Sequence, residues 1–137
     1  MEKFFKKWHG KGIRDDGAVT SREFASFANG LKKVLETEAE KRGSRLESFS
    51  KGHYYVSGFF TNEQECFVYF SFDVPRGQLP MDLASKSCCE GFLVRTAKHG
   101  RDFTGGQNTF TNFPDLMDQV QMLMRMQEVK KAAKSVA

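Results

Sequence analysis

The sequence lacks any apolar run near the roughly 18 residues that a membrane-spanning helix requires. Its opening residues, MEKFFKKWHGKG, are basic and aromatic and do not contain the apolar centre of a secretion signal. We therefore expect a cytoplasmic protein without membrane association.

Cysteine is scarce: the chain has three, at Cys66, Cys88 and Cys89. An odd number without paired spacing argues against a secreted disulfide framework. A structural zinc site shows paired ligands two to four residues apart. The cysteines and the three histidines do not form such pairs; the histidines are His9, His53 and His99. We expect no metal and no cofactor.

Motifs that identify nucleotide-binding enzymes are also absent, since neither GxxxxGK[ST] nor GxGxxG occurs. A nucleophilic pair of Cys88 or Cys89 with His99 would have to form in space, and nothing local marks it. An enzyme of unrecognised type is therefore the third of three functional hypotheses, and we expect no catalytic residues.

Aromatic residues are abundant, at 13% of the chain with 14 phenylalanines. Eight of the twenty residues in the stretch 53–72, HYYVSGFFTNEQECFVYFSF, are Phe or Tyr. Two apolar runs around the polar residues 62–65 predict a β-hairpin with a wide aromatic surface. Further strands are predicted at residues 45–49 and 91–97, with a short return strand at 109–111.

Two amphipathic helices flank these strands. The first is predicted at about residues 20–42, with Thr20 as N-cap, an inward stripe that includes Phe24 and Leu31, and Gly43 as the stop. The second begins near Asn112, and Met122 and Met126 are predicted to widen its inward stripe. An adaptable partner-binding strip is the alternative for these methionines.

This order predicts the α+β class. The expected fold is a single domain with an antiparallel sheet of three to five strands and an N-terminal and a C-terminal helix packed on one face, in the order α-β-β-β-(β)-α. We divide the chain into a basic-aromatic N-terminal arm, residues 1–18, and the α+β domain, residues 19–137.

Two basic regions are candidate binding sites in a chain with a net charge of +4. In the arm, cations and an aromatic ring alternate and could contact phosphates and bases or a partner's pocket: Lys6, Lys7, Trp8, Lys11 and Arg14. The alternative is that the arm's rings fold onto the core while the lysines stay solvated. At the end of the 91–97 strand, a compact anion- or partner-binding tip is predicted: Arg95, Lys98, His99 and Arg101. A solvated hairpin end is the alternative there.

The leading functional hypothesis is a small, non-catalytic interaction or regulatory protein with a protein partner. An accessory or inhibitor protein of a mobile element, acting on a nucleic-acid-handling protein, would have this size and class. The second hypothesis is direct nucleic-acid binding through the basic patches. A homo-oligomer formed through the aromatic sheet face is also compatible with the sequence.

Overall fold

The computed structural model describes residues 1–8, 21–52, 55–73 and 91–136. The predicted cap Thr20, the cysteines Cys88 and Cys89, and His53 lie outside the described residues. Within them are three helices and a five-stranded antiparallel sheet in a single α+β domain, which confirms the predicted fold class. None of the described helices is long and apolar enough to cross a membrane.

The elements follow the chain in a simple order. Helix α1 covers Glu2–Trp8 and α2 covers Ser21–Lys41. The strands are β1 (Ser44–Lys51), β2 (Tyr55–Asn62), β3 (Phe67–Asp73), β4 (Phe92–Ala97) and β5 (Thr109–Thr111). Helix α3 covers Phe113–Val136. The strands lie side by side in sequence order, each antiparallel to its neighbour.

Helix α2 ends where its sequence predicts. Gly43 has a φ of +75°, a left-handed conformation that costs glycine little and that commonly ends helices. The next residue, Ser44, begins β1, so α2 folds back over the first strand of the sheet. The predicted inward residues Phe24 and Leu31 are buried, as is Leu35.

The core lies between the helices and one face of the sheet. Helix α2 contributes the stripe just described, and α3 contributes the inward residues Phe113, Leu116, Met117, Val120, Leu123 and Met124. The strands contribute alternate residues, as a half-buried pleated sheet requires: Val56, Phe60, Val68, Phe70, Phe72, Phe92 and Val94. Helix α1 completes this layer, because the Phe4 ring lies 5.4 Å from Phe27 and 5.0 Å from Phe113.

The opposite sheet face carries a second, smaller aromatic cluster. Phe59 and Tyr69 are cross-strand partners with ring centroids 5.2 Å apart. The Phe103 ring meets both edge-on, at 5.3 Å from Phe59 and 5.9 Å from Tyr69. Phe59 is only 1% exposed as a result. The rings that the sequence places on an outer sheet face are therefore mostly covered.

One prediction about α3 is wrong. Met122 and Met126 do not widen the inward stripe, because they are 47% and 46% exposed. The helix has a single side against the sheet, and the stripe from Phe113 to Met124 fills it. The two methionines lie on the other side and leave apolar surface open to solvent.

Candidate functional site

The last turns of α3 are fastened to the β2–β3 turn by Asn62. Its amide nitrogen donates to Glu128 Oε1 at 2.8 Å. Its oxygen accepts from the backbone N–H groups of Gln64 and Cys66, each at 3.1 Å. An asparagine that bonds backbone two residues on is a common turn-former. One side chain therefore shapes the turn and holds the helix beside it.

Lys131 strengthens the same junction. Its ammonium donates to the backbone carbonyls of Gln64 at 2.6 Å and Glu65 at 2.9 Å. Gln127 adds a bond from its amide to the carbonyl of Phe67 at 2.6 Å. These bonds fix the basic end of α3 over the end of the sheet at which β3 begins and β4 ends.

The loop after β4 is organised by Asp102. Its Oδ2 accepts from the backbone N–H of Lys98 at 2.9 Å, and its Oδ1 accepts from Thr104 at 3.2 Å and Gly105 at 2.8 Å. Hydrogen bonds to the charged form stabilise it. These bonds, the one from Lys98 first, hold the pKa of Asp102 below its ordinary 3.8, and the nearby charge of His99 acts in the same direction.

A concave basic site lies between this loop and the end of α3. We call it the basic pocket. It has a volume of about 360 Å³ and is lined by Glu65, Thr96, Ala97, Lys98, Asp102, Gly105, Gly106, Gln127, Lys130, Lys131 and Lys134. Four lysines face two carboxylates. Lys131 is held by the turn, whereas in the described part of the chain the ammonium groups of Lys98 and Lys134 have no hydrogen-bond or ion-pair partner.

The structure divides the four predicted tip residues. Lys98, His99 and Arg101 are exposed in the loop after β4, and Lys98 lines the basic pocket. Arg95 lies apart: its guanidinium stacks over the Tyr69 ring at 4.3 Å and donates to Asn108 Oδ1 at 3.2 Å and to the carbonyl of Phe103. Arg95 therefore holds the loop against the sheet.

The predicted arm is described only for residues 1–8, so Lys11 and Arg14 lie outside the described residues. Trp8 is 3% exposed and packs against Phe27, with ring centroids 5.3 Å apart. Lys6 and Lys7 are exposed. For these residues the structure shows the alternative arrangement, with the rings on the core and the lysines in solvent.

The described residues offer little to metal or thiol chemistry. They contain no group of three or more His, Cys, Asp or Glu side chains that could hold a metal ion. Cys66 is fully buried in the core, and burial raises the pKa of its thiol above the ordinary 9.0. A protonated, enclosed thiol is not an activated nucleophile.

Two features of the basic pocket differ in how far the sequence indicates them. The Asp102 loop has a local signal, because aspartate commonly accepts from backbone N–H groups of its own turn. The approach of Lys98 to Lys130 and Lys134 has none. It depends on β4 ending beside the last turns of α3, which is a tertiary arrangement.

We predict that the contribution of Asp102 to stability depends on pH. Because its folded pKa is depressed, the contribution is fully present above the unfolded pKa of about 3.9 and is lost as the pH falls through the folded value. Asp102→Asn should therefore lower the urea midpoint at neutral pH, and its difference from the parent should shrink below about pH 4. A difference that stays constant down to pH 2, about two units below the unfolded pKa, would contradict this.

Comparisons with protein-family models, with curated proteins and with solved structures gave no match.

Proposed function

We propose that the chain is a non-catalytic interaction protein whose basic pocket receives a negatively charged segment of a partner protein. The observation that carries this is that Lys98 and Lys134 line one concavity and that, among the described residues, their ammonium groups have no hydrogen-bond or ion-pair partner. Loops and turns held by a rigid scaffold are where binding residues concentrate. Here Asp102 fixes the loop after β4, and Asn62 fixes the β2–β3 turn to α3.

The mixed charge of the basic pocket favours a protein partner. Glu65 and Asp102 line it together with the lysines. A protein segment can place acidic groups against the lysines and donors against the carboxylates, whereas a nucleic acid backbone has negative charge throughout. The volume of about 360 Å³ lies at the lower end of the range of about 300–1,000 Å³ that is usual for ligand-binding clefts.

A partner that handles nucleic acid, and a role as accessory or inhibitor protein of a mobile element, remain predictions. They depend on the size and class of the chain, and the basic pocket is compatible with them without specifying either.

Direct nucleic-acid binding is a second candidate, favoured by the exposed loop beside the pocket. Lys98, His99 and Arg101 are exposed there, and Phe103, which follows them, is 56% exposed. Cations that contact phosphates beside a ring that stacks on a base are typical of proteins that bind single strands.

The test is a charge reversal with a matched control. Lys98→Glu combined with Lys134→Glu should weaken binding of a labelled Asp/Glu-rich peptide about tenfold or more, because each lost charge contact costs about 0.2–1 kcal/mol and repulsion adds to it. Lys32→Glu with Lys33→Glu, an equal change in charge on the exposed side of α2, should leave affinity within about twofold. Fluorescence anisotropy measures both.

A labelled single-stranded oligonucleotide, assayed in parallel, separates the two candidates. Each phosphate contact makes the slope of log affinity against log salt concentration more negative by roughly 0.7. Stronger oligonucleotide than peptide binding, with a steep slope that falls in the pocket variant, would favour nucleic acid. Equal losses in the pocket and α2 variants would show that net charge alone attracts the probe.

A further inference from the structure

Helix α3 has two apolar faces, and only one is covered. The side opposite the sheet carries Met122, Met126, Val129 and Ala133, all exposed, at alternating intervals of four and three residues. We call this row the outer seam. Such spacing keeps apolar residues along one line of a helix and is the pattern by which two helices pack together. Val129 is 69% exposed, so none of the described residues covers the seam there.

The two halves of the outer seam differ in charge and shape. Its first half borders a groove of about 560 Å³ between β5 and α3, which is lined by Phe110, Asp115, Asp118, Gln119 and Met122 among others. Phe110 is 66% exposed at the side of this groove. Its second half is a shallow apolar depression that is formed by Met126 and Val129 and bordered by Arg125 and Lys130, and we call it the basic strip. An acidic groove and a basic strip therefore lie on one helix.

We infer that the outer side of α3 pairs with the same side of a second copy of this chain, with the two α3 helices antiparallel about a twofold axis near Met122. In that register the basic strip of each copy lies over the acidic groove of the other, and Met122 lies next to its counterpart. Such an interface is self-complementary, so every contact occurs twice. A parallel arrangement would instead oppose Arg125 to Arg125 and Lys130 to Lys130, and like charges in contact are repulsive.

Asp115 is the carboxylate best placed to meet the second copy. Asp118 already accepts from Arg42 at 2.7 Å. The carboxylate of Asp115 is exposed and has no ion pair within the described residues. In this antiparallel register, Lys130 of the basic strip faces Asp115 of the groove, and Val129 lies beside Phe110. The homo-oligomer contact therefore involves the last helix instead of the aromatic sheet face.

Sedimentation velocity of the full chain over a wide concentration range tests this pairing. The expected result is a species of twice the monomer mass that dissociates on dilution. Met126→Lys buries a charge in the seam and should weaken association at least about 100-fold. Asn29→Lys adds the same charge at an exposed position of α2 and should leave association unchanged. Circular dichroism of both variants checks that they fold.

A charge swap identifies the direction of pairing. Asp115→Lys and Lys130→Asp should each weaken the dimer about tenfold, and the double variant should restore it, because the pair is rebuilt with its signs reversed. Lys98→Ala should not alter the dimer, which separates this inference from the proposed role of the basic pocket. A monomer at every concentration overturns the inference, as does a dimer unaffected by Met126→Lys. Failure of the double variant to recover overturns the antiparallel arrangement.

Discussion

Replacing Phe27 with alanine is expected to destabilise the fold by about 3–5 kcal/mol, the range found when a buried phenylalanine is truncated. Phe27 is fully buried, and its ring lies 5.8 Å or less from the rings of Phe4, Trp8, Phe24 and Phe72. These rings belong to α1, α2 and β3. The truncation therefore removes contacts among three elements at once, and no single neighbour can fill the space.

The fluorescence of Trp8 can be used to test this prediction. It is the only tryptophan of the chain, and it is buried against the edge of the Phe27 ring. Urea unfolding followed by Trp8 fluorescence should show the lower midpoint, and the emission of the folded variant should shift to the red as α1 loosens. Circular dichroism measured alongside distinguishes loosening of α1 from global unfolding.

Phe103→Ala is the matched control. It removes the same side chain, but Phe103 is 56% exposed, and among the rings of the described residues its ring contacts those of Phe59 and Tyr69 alone. We expect a loss of about 1 kcal/mol or less, because no enclosed cavity remains. Comparable losses for the two variants would contradict the view that Phe27 links α1, α2 and β3.

Local chemistry accounts for the parts of the fold that could be predicted. The helix predicted at residues 20–42 is observed as Ser21–Lys41, because an apolar stripe and a glycine stop are both visible in sequence. The hairpin follows from two apolar runs around a polar turn, and even the three-residue strand Thr109–Thr111 was predicted. Period and turn residues determine these elements without reference to distant parts of the chain.

Sequence spacing is less informative where tertiary contacts decide. Met122 and Met126 have helical spacing, and that spacing is equally compatible with an inward and an outward face of α3. Which face is covered depends on how α3 packs on the strands. Arg95 and Lys98 are close in sequence, but Arg95 lies within β4 and bonds Asn108 and the carbonyl of Phe103, whereas Lys98 follows β4 and lines the basic pocket. The basic pocket joins residues from β4 and α3 that no spacing relates.

Gly58→Ala is expected to be the second large loss, at about 2–3 kcal/mol, within the range measured for overpacked interiors. Gly58 lies in the middle of β2, opposite Phe49 of β1 and Phe70 of β3. The rings of Phe49 and Phe70 come within 6.1 Å of each other across it. A methyl group at this position would lie 2.2 Å from the carbonyl oxygen of Ser48 and 2.8 Å from Phe70 Cε1.

The Ser48 contact makes this substitution costly, because a backbone atom cannot rotate away as a side chain can. The β1–β2 register shifts between Leu46 and Ser48, next to the contact, so relief of the clash would require β1 to move away from β2 at this irregularity.

Two alanine controls isolate the steric effect in urea unfolding. Among the described residues, the methyl group of Gly100→Ala would contact Phe67 alone, at 3.6 Å, and should change stability by less than about 0.5 kcal/mol. The methyl group of Gly43→Ala would have no atom of the described residues within 4 Å, but Gly43 has a φ of +75°, so this substitution should cost about 1 kcal/mol through backbone strain. A Gly58→Ala loss no greater than the Gly43→Ala loss would contradict this prediction. It would mean that β1 can move away from β2 at little cost, and that Phe49 packs on Phe70 equally well when residue 58 has a side chain.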